Sequence, residues 1–257
     1  MSAVVLQIKS QIDHARLELR SRALSCTSTR LSRFIRRIGI SRGVEVGDEL
    51  KSWDVLKTAQ FLEKNVGKGF PVLDVGTYAS EILCVLYRMG YSNLTGVDLN
   101  LQISHMPYAG TIRYIVSDFM RTPFKNESFE AITSISVIEH GFKSTALLME
   151  ISRLLGPGGY FIASFDYWPE KIDTTRIPFF GMDWKIFSQQ EVLAFIEEAR
   201  DYNLVPCGII DLTAKERPIE CANKKYTFAW LALQKLQVSL SARNSRNFNP
   251  RYKNMAI

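Results

Sequence analysis

The chain has 257 residues, 46% of them hydrophobic, which suits one large α/β domain with a buried core and excludes wholesale disorder. Its net charge of +6 sits at the ends: residues 1–43 hold nine Lys/Arg against Asp13 and Glu18, and residues 236–257 hold four cations and no acid, so the stretch between is net acidic and a nucleic-acid groove across the body is not expected. No run of about 18 apolar residues exists and the apolar start at 3–6 is too short for a secretory signal, so a cytoplasmic protein without a transmembrane segment is expected.

In chain order, residues 1–24 place Val5, Ile8, Ile12, Ala15 and Leu19 on one helical stripe with Arg16, Arg20 and Arg22 off it. Such a helix docks on its own domain or on a partner, or lies on a membrane surface, so peripheral membrane contact through 1–24 is one expectation. Residues 25–47, rich in Ser, Arg and Gly, read as a linker. A helix over 49–64 carries Trp53, Leu56 and Ala59 and stops near Gly67 and Gly69. An alternation follows: a strand at 71–75, a helix over 80–89 ended by Gly90, and strands at 93–97, 112–116 and 130–138. Ser144 can cap a helix with Leu147, Leu148, Ile151, Leu154 and Leu155 on one face. The "GPGG" turn at 156–159 leads into a strand at 160–165, and Ser188 with Glu191 forms a capping box for the next helix. Strands at 204–210 and 225–234, with no full helix between them, close the domain as a hairpin. The expected fold is α/β: a doubly wound, mostly parallel seven-stranded sheet with an antiparallel C-terminal hairpin. The expected organisation is a basic helical extension and linker at 1–48, the domain at 49–235 and a basic tail at 236–257.

In an open parallel sheet ligands bind beyond the carboxyl ends of the strands, where strand order reverses. The polar residues there are Asp74 and Gly76, Asp98, Asp118, Ser136 through His140, and Asp166. Gly76 lets the chain turn sharply. Asp98, 22 residues further on, can accept hydrogen bonds from two ribose hydroxyls. Asp118 can accept from an exocyclic amine, and Phe119 can lie against a flat base. The four cysteines (Cys26, Cys84, Cys207, Cys221) form no CxxC and do not join His14, His105 and His140 in metal-ligand spacing, so reduced thiols and no metal site are expected.

The series "VLDVG", "LTGVD", "VSDF", "FEAITSISVIEHG" and "ISRLLGPGGYFIAS" resembles the class I S-adenosylmethionine-dependent methyltransferases over residues 70–235. The resemblance implies S-adenosyl-L-methionine as cofactor. It implies that Asp74 and Gly76, with Tyr78, lie by the methionine part. Asp98, with Leu99 beside it, would hold the ribose, Asp118 and Phe119 the adenine, and the backbone near Ser136 the amino-acid end. It departs from the family at the first loop, "DVGTYAS", where Tyr78 and Ser80 stand for the later glycines of acid-x-Gly-x-Gly-x-Gly. That loss counts against a bound pyrophosphate, which needs several glycines, and suits a cofactor without phosphate.

A base is needed only if the acceptor must lose a proton. His140, next to Glu139, and Asp166 are the candidates. The long stretch 166–187, with Tyr167, Trp168, Phe179, Phe180 and Trp184, is expected to shape the acceptor pocket, with Lys171 or Arg176 meeting an acidic group. The expected function is methyl transfer to a small-molecule or glycan-type acceptor. The alternatives are a non-catalytic scaffold that keeps the fold, or a nucleic-acid or protein methyltransferase recruited by the basic N-terminus.

Overall fold

The computed structural model describes residues 1–27, 44–179 and 181–237. The basic tail beyond 237 and the middle of the 25–47 linker lie outside them. Five parallel strands form the body of the sheet: β2 (Val72–Val75), β3 (Leu94–Asp98), β4 (Arg113–Val116), β5 (Phe129–Ile135) and β6 (Leu155–Tyr167). Their spatial order is β4-β3-β2-β5-β6. The chain therefore starts in the middle, runs outward to β4, and returns to lay β5 beside β2. Strand order reverses between β2 and β5, and the crevice of such a sheet opens there.

The sheet is covered on both faces, which is why its strands read as nearly unbroken apolar runs. Val72, Ala131 and Ile162 face one layer, made by α1 (Ser10–Ser21), α2 (Ser52–Asn65) and α3 (Ile82–Arg88). Leu73, Ile132 and Phe161 face the other, made by α4 (Ser144–Leu154) and α5 (Gln189–Asp201). On α4 the predicted stripe of Leu147, Leu148, Ile151 and Leu154 is buried, each side chain contributing about 2 kcal/mol by removal from water. The Ser188–Glu191 capping box at the start of α5 is present.

The antiparallel closure is also present. β11 (Lys224–Lys235) runs antiparallel beside β6, and β9 (Leu204–Pro206) pairs antiparallel with its last residues. Two further strands join the seven expected ones: β10 (Ile219–Cys221), a short hairpin partner of β11, and β1 (Ala3–Val5), while β7 (Pro178–Phe179) and β8 (Met182–Asp183) pair apart from the sheet.

β1 corrects the reading of the N-terminus. Val5 does not share a helical stripe with Ile12; it pairs with Ala229 at the edge of β11. The open edge of β11 beyond β9 offers unpaired backbone groups, and residues 3–5 fill it. Ser2 and Leu6 add bonds to Ala232 and Phe228. Ile8 is left exposed, while Ile12, Ala15 and Leu19 pack in the α1–α2 layer with Trp53, Leu56 and Ala59. Ile12, Ala15 and Leu19 of the stripe thus dock on the chain's own domain, one of the places expected for them. Among the described residues no helix is long and apolar enough to cross a membrane.

The "GPGG" stretch is another correction. It is not a turn before the strand but the bulged first part of β6, with a register shift opposite Phe129 and Ala131. A Cβ at Gly159 would lie 2.9 Å from the Glu130 carbonyl oxygen, so the bulge requires glycine.

Candidate functional site

Beyond β2 the chain turns through Gly76, whose φ is +69°. A Cβ there would lie 2.4 Å from Cγ2 of Val137. Val137 is delivered by a second turn, at Ser136, which follows β5 with φ +54°. The two central strands therefore end in turns that interlock. Gly76 and Thr77 both donate to the Val97 carbonyl, at 2.9 and 3.1 Å, so the loop is tied to β3 as well.

Asp98, at the tip of β3, organises this loop. Its Oδ2 accepts from the Tyr78 N–H at 2.9 Å and its Oδ1 from the Asn100 N–H at 2.8 Å. Each carboxylate oxygen can accept a further bond. Tyr78 thus keeps the backbone donor that a glycine would supply. Its ring rests against the cluster of Val46, Cys84, Ile103 and Met106. Leu99 is 60% exposed on the rim.

Asp74 is fully buried under the loop. Its Oδ1 accepts from the Thr133 hydroxyl at 2.7 Å. Its Oδ2 makes no hydrogen bond, with the Thr77 and Ser80 hydroxyls nearby. Burial raises this carboxyl to about 7. The hydroxyls of Thr77, Ser134 and Ser136 are likewise buried without a partner. Four buried polar groups left unpaired at the ends of β2 and β5 are what a site for a polar ligand shows. They suit a cofactor bearing ammonium, carboxylate and hydroxyl groups. Asp118, one strand further out beyond β4, is exposed, its Oδ1 accepting from the Met120 N–H at 2.9 Å, and Phe119 is half-buried beside it.

His140 and Asp166 lie at the ends of β5 and β6. His140 is half-buried and stacked on Phe179 at 5.7 Å. Burial, aided by the Lys51 charge, lowers it to about 4, so the ring is neutral at pH 7. Asp166 is buried; its Oδ2 accepts from Trp184 Nε1 at 2.8 Å and its Oδ1 lies 3.8 Å from Lys51 Nζ. Lys51 Nζ also sits 3.5 Å over the Phe228 ring. Burial and the Asp166 charge push the Glu139 carboxyl well up. Asp54, on α2, completes the group: neither oxygen makes a hydrogen bond and burial raises it to about 7.

The segment after β6 returns along these strand ends. Gly141 donates to the Asp183 carbonyl and Lys185 to the Glu139 carbonyl, both at 2.9 Å. Trp184 and Phe179 thereby wall the side on which His140 stands. Tyr167 and Lys171 have other duties. Tyr167 is buried and donates to the Leu212 carbonyl, and Lys171 pairs with Glu191 at 2.9 Å. Phe180 lies outside the described residues.

Asp54 gives a pH-dependent prediction. The unfolded carboxyl loses its proton near 3.8 and the folded one near 7, so the folded state binds more protons between those values. Stability falls as pH rises from about 4 to about 7 and is level above. Asp54→Asn removes that cost, and chemical denaturation should find it more stable than wild type at pH 8, by at most about 4 kcal/mol. The gain should vanish toward pH 3.

The site residues missed in the sequence are Thr77, Thr133, Lys51 and Asp54. Thr77 stands inside the quoted loop. Asp54 and Lys51 begin a helix, where charged residues are ordinary, and no sequence pattern sets them apart.

Residues 73–163 match the family model for a methyltransferase domain. The sterol 24-C-methyltransferase of Pneumocystis carinii is 31% identical over 114 residues, 41% of this chain and 30% of that protein. The cycloartenol-C-24-methyltransferase 1 of Oryza sativa subsp. japonica is 30% identical over 108 residues, 39% of this chain and 31% of that protein. The matches thus span under a third of these relatives' length. Among solved structures, the geranyl diphosphate C-methyltransferase of Streptomyces coelicolor A3(2) superposes with a TM-score of 0.55 at 18% identity, covering 70% of this chain and 79% of that one. The [4+2]-cyclase SpnF superposes with a TM-score of 0.57 at 16% identity, covering 92% and 99%. At such identities the likeness is one of fold. With its sheet order, its strand-end residues and the matched segment 73–163, the chain is similar to the class I S-adenosylmethionine-dependent methyltransferases.

Proposed function

We propose that the chain transfers a methyl group from S-adenosyl-L-methionine to a small, largely apolar acceptor. The observation that carries this reading is Asp98, which shapes the loop after β2 through Tyr78 while retaining acceptor capacity for two ribose hydroxyls. Asp118 and Phe119 would take the adenine, and Leu99 would border the nucleoside. Asp74, Gly76, Tyr78 and Ser136 would hold the methionine end. When bound, the cofactor supplies an electrophilic methyl on a sulfonium. The chain's part is to hold the acceptor in line and keep water out.

The acceptor side is walled by Phe179 and Trp184. An apolar acceptor also agrees with the relatives named as sterol methyltransferases. His140, neutral at pH 7, is the proposed base for an acceptor that loses a proton. Asp166 joins it at that wall, fixing Trp184 and Lys51. His140→Ala should lower turnover by roughly 100-fold or more while S-adenosylhomocysteine affinity stays within about twofold. Unchanged turnover would remove His140 from the reaction.

Calorimetry with S-adenosylmethionine and S-adenosylhomocysteine tests the reading. One-to-one binding is the expected result. No heat and no thermal shift would overturn it in favour of a scaffold that keeps only the fold.

A further inference from the structure

Arg16 stands outside every motif of the site, yet it is 4% exposed and uses all five of its N–H donors. Nη1 and Nη2 donate to the two Glu81 oxygens, each at 2.9 Å. Nε donates to the Ser52 hydroxyl at 2.8 Å, Nη1 also to the Ser25 hydroxyl at 2.9 Å, and Nη2 also to the Asp48 carbonyl at 3.2 Å. Glu81 ends the loop that begins at Gly76. Its Oε1 accepts in addition from the Cys26 N–H at 2.5 Å. Gly47 donates to the Ala79 carbonyl at 2.9 Å. A Cβ on Gly47 would lie 2.9 Å from Glu81 Oε2. Three stretches of chain, around 16–27, 47–52 and 79–81, therefore meet at one buried ion pair.

The loop needs such support. Ala79 has φ +61°, a left-handed conformation that glycine adopts freely and alanine does not. The later glycines of the family's loop are absent here, and the backbone shape is imposed from outside, by Gly47 on the Ala79 carbonyl and by Arg16 through Glu81.

We propose that Arg16 is a positioning residue of the cofactor loop, acting through Glu81 to hold Tyr78 and Ala79 in the binding conformation, so that the N-terminal segment is a working part of the cofactor site. This rests on the methyltransferase reading above. Linkage makes the coupling reciprocal: bound cofactor should slow exchange of the Cys26 and Gly47 amides, which lie on the far side of the clamp.

The test is hydrogen exchange together with S-adenosylhomocysteine calorimetry on the full chain. Arg16→Met with Glu81→Met removes both charges and leaves no unpaired one, which keeps the fold accessible. In this double variant the amides of residues 78–82 should exchange at least tenfold faster while those of β11 do not change. S-adenosylhomocysteine should bind at least tenfold more weakly. Arg22→Met, just past the end of α1, which breaks the exposed pair with Glu63 on α2, should leave both readouts within twofold. Arg16→Lys keeps the charge without the planar fork and should recover thermal stability more than affinity. A double variant that folds, exchanges as wild type and binds within twofold would overturn the proposal, as would stability and affinity recovering in step in Arg16→Lys. If wild type binds no S-adenosylhomocysteine, the methyltransferase reading fails, and the exchange of 78–82 still decides the clamp.

Discussion

Asp98→Ala is expected to weaken S-adenosylhomocysteine binding by roughly 100-fold or more, with little loss of fold. The carboxylate does two things. It orders the turn by accepting the Tyr78 and Asn100 N–H groups at 2.9 and 2.8 Å, and in the proposed function its remaining lone pairs would take the ribose hydroxyls. A hydrogen bond to a charged group is worth about 1.5–3 kcal/mol. Losing the ribose bonds and slackening the loop together justify the estimate. Asp98 is half-buried at the mouth of the sheet, so water can replace the carboxylate at the two backbone N–H groups and global stability should fall by about 1–3 kcal/mol, short of unfolding the domain. Asp98→Asn sharpens the test, because it keeps the volume while only one of its side-chain atoms can accept. Its affinity should fall between the two. Calorimetry measures affinity and thermal melting of the free protein measures fold; a large fall in melting temperature with unaltered affinity would make Asp98 structural only.

Gly76→Ala should do the opposite, failing as a protein before it fails as an enzyme. At φ +69° the added Cβ is strained, and it would lie 2.4 and 2.6 Å from the two methyl carbons of Val137. Strain of about 1–2 kcal/mol and overpacking of about 1–3 kcal/mol add to a destabilisation of roughly 2–5 kcal/mol. Each kcal/mol lowers the melting temperature by roughly 2–4 °C in a domain of this size. Val137→Ala in the same chain removes the collision but not the strain, and should restore part of the loss. A Gly76→Ala protein that melts with wild type would mean that the turn after β2 does not interlock with the one after β5. The glycine of this loop is thus demanded by the protein's own packing, whatever the cofactor also requires of it.

Much of the fold was legible because the strands and helices announce themselves by different periods. The 144–155 stripe, the Ser188–Glu191 box and the apolar runs at 71–75 and 93–97 depend on neighbours close in sequence, and each formed nearly where expected. The N-terminus was misread because residues 3–5 take their conformation from β11, more than two hundred positions away, and three apolar residues fit a helical stripe as well as an edge strand. "GPGG" was read as a turn because glycine and proline mark turns as well as bulges; only the Glu130 carbonyl pressing on Gly159 separates the two.

The site divides along the same line. Strand-end acids can be found from sequence because the topology fixes where strand ends go. What holds them cannot. Arg16, Glu81 and Gly47 are widely separated in sequence and meet only in the folded chain. Asp54 is an ordinary first-turn helix residue until the Asp166 and Glu139 carboxyls are placed beside it. The missing glycines at 78 and 80 gain their meaning from these partners: the Tyr78 N–H still binds Asp98, and the turn is braced from the N-terminal segment.

The most direct test of methyl transfer to a small molecule follows the methyl group itself. The full chain is incubated with methyl-labelled S-adenosylmethionine and a metabolite and lipid extract, beside Asp98→Ala as control. The account predicts label in an extractable small-molecule product with wild type and none with the variant. Label that stays in the cofactor, or that appears in protein or RNA, would contradict it.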